Sequence, residues 1–157
     1  MNAILALIIA TALALGGAGT TAYAAQDDLP NDLLYPIKTG TEDFRLWLNT
    51  DPQTEIDMLM EMSRIRVQEM IALDQSGDRI PSFATLRLEE HIRNAFQIAA
   101  SLENSEIEGT LQQIRTNLQT QEQLMAQIQG QASPESNQLL AQTRLMLQTR
   151  IRLVDDG

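Results

Sequence analysis

Leu29-Pro30-Asn31-Asp32-Leu33-Leu34-Tyr35-Pro36-Ile37-Lys38, continuing through Glu42-Asp43-Phe44-Arg45-Leu46 to Asp51-Pro52, is the stretch on which the reading of this chain turns. Pro30-Asn31 is a turn signal. Pro36 is preset for the first turn of a helix and is expected to push Tyr35 into an extended conformation. Ile37, Gly40, Phe44, Trp47 and Leu48 recur at helical spacing, which predicts a short helix over 36–49. Gly40 weakens such a helix by about 1 kcal/mol relative to Ala, so a close backbone approach is expected there. Lys38–Glu42 and Glu42–Arg45 are spaced to pair along the exposed side. Asp51-Pro52 then restarts the chain as a helix: a carboxylate cap, followed by a residue that needs no N–H partner.

Working outward toward the C-terminus, the pattern is helical throughout. Ile56, Leu59, Met60, Ser63, Val67 and Met70 form a stripe over 52–74, with Met58, Met62, Ile65 and Leu73 beside it, and a face this wide should touch more than one neighbour. Ser76-Gly77-Asp78 ends that helix, and Pro81 opens the next over 82–103, with Leu88, Ile92, Ala95, Ala99 and Leu102 inward. Ser105 and Glu108 have the spacing of a capping box for a helix over 106–130, or else sit at a kink in one longer helix. Ile107, Leu111, Ile114, Leu118, Gln121, Met125 and Ile128 alternate 4-3 like a heptad, with Gln121 as a polar intrusion. Ser133-Pro134-Glu135 starts the last helix, 134–154, with Leu139, Leu140, Met146, Leu147, Ile151 and Val154 inward. The Gln-rich span 107–148 reads as shared helical composition, and no strand pattern of useful length is present. Short connections make successive helices antiparallel neighbours. The expected fold class is all-α: an antiparallel helical bundle of four long helices, plus one short N-terminal helix, in a single domain over 25–157.

Working outward toward the N-terminus, Ala3 to Leu15 is apolar except for Thr11, Gly16-Gly17-Ala18-Gly19 follows, and Ala22-Tyr23-Ala24 has the small-x-small form of a cleavage site. Thirteen helical residues reach roughly 20 Å, short of a ~30 Å hydrocarbon core. No Lys or Arg precedes the run, so residues 1–24 are expected to be either a cleaved signal peptide or an uncleaved membrane anchor. Both place the remainder outside the cytoplasm. N-x-Ser/Thr sequons are absent, which fits a prokaryotic exported protein.

Composition narrows the chemistry. The 157 residues include no cysteine, which removes disulfides, thiolate zinc sites, a cysteine nucleophile and a lipid-anchoring cysteine. The net charge of −10 repels nucleic-acid phosphates and anionic lipid heads, so neither is an expected electrostatic partner. His91 is the single histidine and lies beside the apolar stripe of its helix, so a surface or boundary position is expected. Asp27-Asp28, Glu42-Asp43, Glu89-Glu90 and Asp155-Asp156 are sequential pairs, which point apart on a helix. The thioethers of Met58-Leu59-Met60-Glu61-Met62 suit soft Cu(I), but Met is also a common core filler, and packing is the expected role. No phosphate loop, calcium loop or HExxH spacing is present. No catalytic residue, cofactor or metal ligand is therefore assigned.

The residues Leu29, Pro30, Asp32, Leu34, Tyr35, Pro36, Lys38, Glu42, Arg45-Leu46 and Leu48, with Asp51-Pro52, resemble a prokaryotic family of exported helical domains, domain of unknown function family 5667. The resemblance covers residues 28–73, departing at Asn31, where the family commonly has Gly, and at Gly40, where a bulkier residue is usual. It implies a domain directly following a signal or anchor segment, with no settled activity. The motif residues are expected to be structural or partner-binding: Tyr35 and the leucines anchoring the chain's exit from the membrane side, and Lys38, Glu42 and Arg45 forming a polar brace. The expected function is a non-enzymatic extracytoplasmic helical module, secreted or tethered through residues 1–24, acting on a protein partner or as a sensor. The alternative is a small exported helical chaperone or metal-stress adaptor.

Overall fold

A computed structural model describes residues 28–129 and 132–155, so the expected export segment at 1–24 lies outside the described residues. The described chain is an all-helical bundle protein: α1 (Tyr35–Leu48), α2 (Pro52–Gln75), α3 (Ser82–Ala99), α4 (Asn104–Ile128) and α5 (Pro134–Asp155), with no strand among the described residues. It divides into two compact units between Thr50 and Asp51.

In the first unit, Asp32 N–H donates to the Leu29 carbonyl at 2.9 Å while Leu29 N–H donates back to Asp32 Oδ2 at 2.7 Å, closing the turn expected at Pro30-Asn31. No non-glycine residue among those described has a positive φ, so Asn31 serves this turn without the left-handed conformation that would call for Gly. The chain then runs straight into α1. Leu34 sits in the right-handed helical region at φ −91°, ψ −2°, and Tyr35 is already helical, contrary to the extended conformation expected ahead of Pro36. Bonds from Ile37 N–H and Lys38 N–H to the Leu34 carbonyl, at 2.9 and 3.2 Å, hold this first turn against the steric preference of the residue before proline. The exposed side expected for Lys38 and Glu42 is also corrected, since both are buried, and of the apolar stripe only Gly40 is buried. Tyr35, Lys38, Thr39, Gly40 and Glu42 are the buried residues of α1, while Phe44, Trp47 and Leu48 are exposed.

In the second unit, Asp51 Oδ2 accepts from the Thr54 N–H at 2.8 Å and its hydroxyl at 2.6 Å, which caps α2 behind Pro52. These two bonds hold the Asp51 carboxyl below its ordinary pKa. α2 ends in a left-handed glycine reversal: Gly77 at φ +76°, Asp78 N–H to the Leu73 carbonyl at 2.8 Å and Gly77 N–H to that of Asp74 at 3.0 Å. α3 stops at Ala99, four residues short of the expected 103. Ser101 Oγ donates to the Ile98 carbonyl at 2.7 Å, and Glu103 is extended, so α3 and α4 are separate helices. α4 starts at Asn104 from Glu103 without a side-chain cap, which corrects the capping box expected at Ser105. Ser133 caps α5 as expected, its Oγ accepting from Ser136 N–H at 3.2 Å.

The wide face of α2 is used on two sides, packing on α3 and on α4, and α5 packs on α4. Ile56, Leu59, Val67, Met70, Leu73, Leu88, Ile92, Ile114, Leu118, Met125, Leu140 and Leu147 are at most 1% exposed. Each contributes roughly 1.5–3 kcal/mol by leaving water. Ala84, Ala95 and Ala99, all fully buried, let α3 lie close on its neighbours. Polar cross-links give the helix directions. Thr110 donates to Gln53 at 3.1 Å, Gln113 to Asp57 at 2.6 Å and Gln121 to Ser63 at 2.7 Å, so numbering rises together and α2 and α4 run parallel. Arg115 pairs with Asp155 at 2.5 Å and Arg144 with Glu122 at 2.6 Å, so α4 and α5 run antiparallel.

Candidate functional site

Two polar constellations stand out, one in each unit. The first is the motif at the head of α1. Lys38 is drawn out of water to 8% exposure, and its Nζ donates to the Asp28 carbonyl at 3.0 Å while lying 5.9 Å from the centre of the Tyr35 ring. An ammonium over an aromatic face is attracted by the ring's electron density. Tyr35 is itself 5% exposed, and Glu42 9%. Thr41 Oγ1 donates to the Lys38 carbonyl at 2.7 Å and Thr39 Oγ1 to that of Pro36 at 3.3 Å, so both threonine hydroxyls of the helix are occupied by its own backbone.

Of the residues singled out from the sequence, Pro30, Tyr35, Lys38 and Glu42 are buried; Leu29 and Leu34 are half-buried; Asp32, Pro36 and Arg45 are exposed. The structure brings Tyr35 and Lys38 together with the backbone carbonyl of Asp28, a residue noted from the sequence only as half of an acidic pair. Asp51 and Pro52 belong to the second unit, where they start α2. The exposed face of α1 carries Phe44 (39% exposed), Trp47 (75%) and Leu48 (58%), the two rings stacked with centroids 5.8 Å apart and planes 26° apart.

The second constellation lies in the core of the second unit. Arg66 is fully buried, and its Nε is 3.3 Å from Glu69 Oε2, with Glu69 only 4% exposed. His91 is 3% exposed, which corrects the surface or boundary position expected for it. Burial, then the positive charges of Arg87 and Arg66, lower its pKa to about 3, so the imidazole is neutral near pH 7. Its Nε2 has no hydrogen-bond partner. A base catalyst needs a conjugate acid that can form near working pH and a substrate within reach. A sealed imidazole with arginines as its charged neighbours meets neither condition.

Sequence spacing held a signal for both buried groups. Arg66 continues Leu59 and Ser63 toward Met70 and Leu73 at 4-3-4-3 spacing, and His91 follows Leu88 by three and precedes Ala95 by four. The charge of Arg66 and the polarity of His91 masked that signal. Gln121, read as an intrusion, is 1% exposed and bonded to Ser63, whose Oγ donates in turn to the Met60 carbonyl at 2.7 Å. Met60 and Met62 are buried at 2% and 4% exposure, in the packing role expected of them.

Open grooves mark the second unit's surface. One of about 480 Å³ lies between the start of α3 and the start of α5, bridged by Arg79 and Glu135 at 2.5 Å. Another of about 450 Å³ runs along α5 beside Leu145, Met146 and Thr149. His91 lines neither. Among the described residues, no helix is long and apolar enough to cross a membrane, and no group of three or more His, Asp or Glu is placed to hold a metal ion.

No curated protein and no solved structure matches the chain. A family profile described as Domain of unknown function (DUF5667) matches residues 27–149, a span that includes the motif and runs through both units.

Proposed function

The chain belongs to the DUF5667 family, and from that premise we propose that it is a non-catalytic extracytoplasmic helical module, tethered or released at residues 1–24, that acts by contact with a protein partner. One observation carries this reading: groups able to do chemistry are spent on packing, while apolar groups able to make contacts face outward. His91, Arg66 and Glu69 are inside the core, whereas Leu33, Trp47, Leu86, Leu145 and Leu153 are more than half exposed. The arrangement suits a rigid body that presents helix faces. The motif supports the same reading: Tyr35, Lys38 and Asp28 hold the segment that would leave the membrane, and Arg45 stands free in solvent on the same helix.

Two measurements test it. A reporter that folds only outside the cytoplasm, fused after Gly157, should be active; an inactive, stably expressed fusion would refute the location. Quantitative capture from cell envelopes should then recover a partner with the native chain that is lost with Arg45→Glu. An identical set of captured proteins would refute recognition through the motif helix.

A further inference from the structure

We propose that the exposed face of α1, built from Phe44, Trp47 and Leu48, rests on the membrane–water interface and docks the helix against zwitterionic lipid. This rests on the tethered form of the reading above. These residues are spaced i, i+3 and i+4, so they share one face near the C-terminal end of the helix. Their exposures are 39%, 75% and 58%, and the face stays outward although α1 buries Lys38 and Glu42 elsewhere. An indole has an apolar body and one polar N–H, the combination that settles at headgroup depth.

Three considerations select lipid as the occupant. The first is reach. The apolar run Ala3–Leu15 ends upstream, and residues 16–27 separate it from Asp28. Fully extended, that connector spans roughly 40 Å, so α1 stays within easy reach of a bilayer that holds the run. The second is charge. Lys38 and Arg45 balance Glu42 and Asp43, so α1 carries no net charge in a chain of net charge −10, and an uncharged surface suits it where an anionic one would repel the rest. The third is area. The three side chains expose on the order of 300–400 Å² between them, well short of the ~800 Å² per partner that a stable dimer buries. A tether removes that shortfall for a lipid surface, since the bilayer is present at high effective concentration and the face need only orient the domain.

Trp47 is the chain's single tryptophan, so its fluorescence reports this face alone. The full chain is reconstituted with phosphatidylcholine vesicles, with and without bromine on the lipid acyl chains. The expected result is co-sedimentation, a blue-shifted Trp47 emission and at least a twofold loss of intensity with brominated lipid. The double variant Phe44→Ser, Leu48→Ser alters exposed positions only. It should keep its helical circular dichroism and its sedimentation while losing most of that quenching. Co-sedimentation with Trp47 unquenched overturns the docking and leaves the tether standing. Failure to co-sediment overturns the tethered reading, and the docking with it. Quenching equal in the double variant assigns proximity to the tether alone and overturns the role of the face. A blue shift that grows with protein concentration without lipid identifies a second copy as occupant and equally overturns it.

Discussion

In α2, Ile56, Val67, Met70 and Leu73 are fully buried, whereas in α1 Trp47 is 75% and Leu48 58% exposed although both helices carry their apolar residues at helical spacing. The difference lies in what is available to cover each face. α2 packs on both α3 and α4, and its wide stripe is buried, as are Leu88 and Ile92 of α3 and Ile114 and Leu118 of α4. α1 buries instead a face of small and polar residues, Thr39, Gly40, Lys38 and Glu42, and leaves its aromatic face outward. Periodicity therefore says which residues travel together around a helix; it does not say whether that face meets protein, water or something else.

The contrast is open to measurement. Leu118→Ala, in the fully buried α4 stripe, should lower unfolding free energy by about 2–5 kcal/mol in urea denaturation, through lost transfer energy and a residual cavity. A loss below about 1 kcal/mol would show that this core is looser than its burial implies.

Next in size is the acid response of His91. With a folded pKa of about 3 against an ordinary 6.5, the unfolded chain takes up a proton below pH 6.5 that the folded chain refuses. Stability contributed by the neutral imidazole is thus whole above pH 6.5 and falls with falling pH until both forms are protonated near pH 3. Between pH 6.5 and 5, above the carboxylate range, the fall should reach about 2 kcal/mol. His91→Gln should flatten that slope; an unchanged slope would place the titration elsewhere.

Removing the α2 cap with Asp51→Ala should have a smaller effect, a modest lowering of the midpoint of thermal unfolding, because the Thr54 N–H loses its acceptor. Trp47→Ala should be the mildest, within about 0.5 kcal/mol, as expected of an exposed side chain. A larger loss would mean that the aromatic face of α1 is part of the folded core, and the contrast between the two helices would fail.

Much of the architecture was legible because it is written in local signals. Proline at 36, 52 and 134, the Asp51 cap and the Gly77 reversal act within a few residues of themselves, and the starts of α1, α2 and α5 fall within one residue of expectation. The start of α4 was missed because Ser105 and Glu108 imitate a cap that the backbone does not use. The interior polar groups were harder to place. Spacing sets Arg66 on the same face of α2 as Leu59 and Met70, but whether an arginine there is buried depends on the helices packed against that face, which are distant in sequence. The motif was visible as a pattern, but its pairing of Lys38 with the Asp28 carbonyl and the Tyr35 ring depends on a turn that folds Asp28 back.

The polar seam between α2 and α4 has a consequence for how the bundle closes. Two parallel helices meeting through leucine and methionine alone could slide by seven residues and still look satisfied. Here such a slip would set Gln121 opposite Met70 or Ile56 in place of Ser63, stranding a carboxamide in hydrocarbon. Gln121 and Ser63 thus work as a vernier: they contribute little to the strength of the grip, and they make one alignment of the two rods far cheaper than its neighbours.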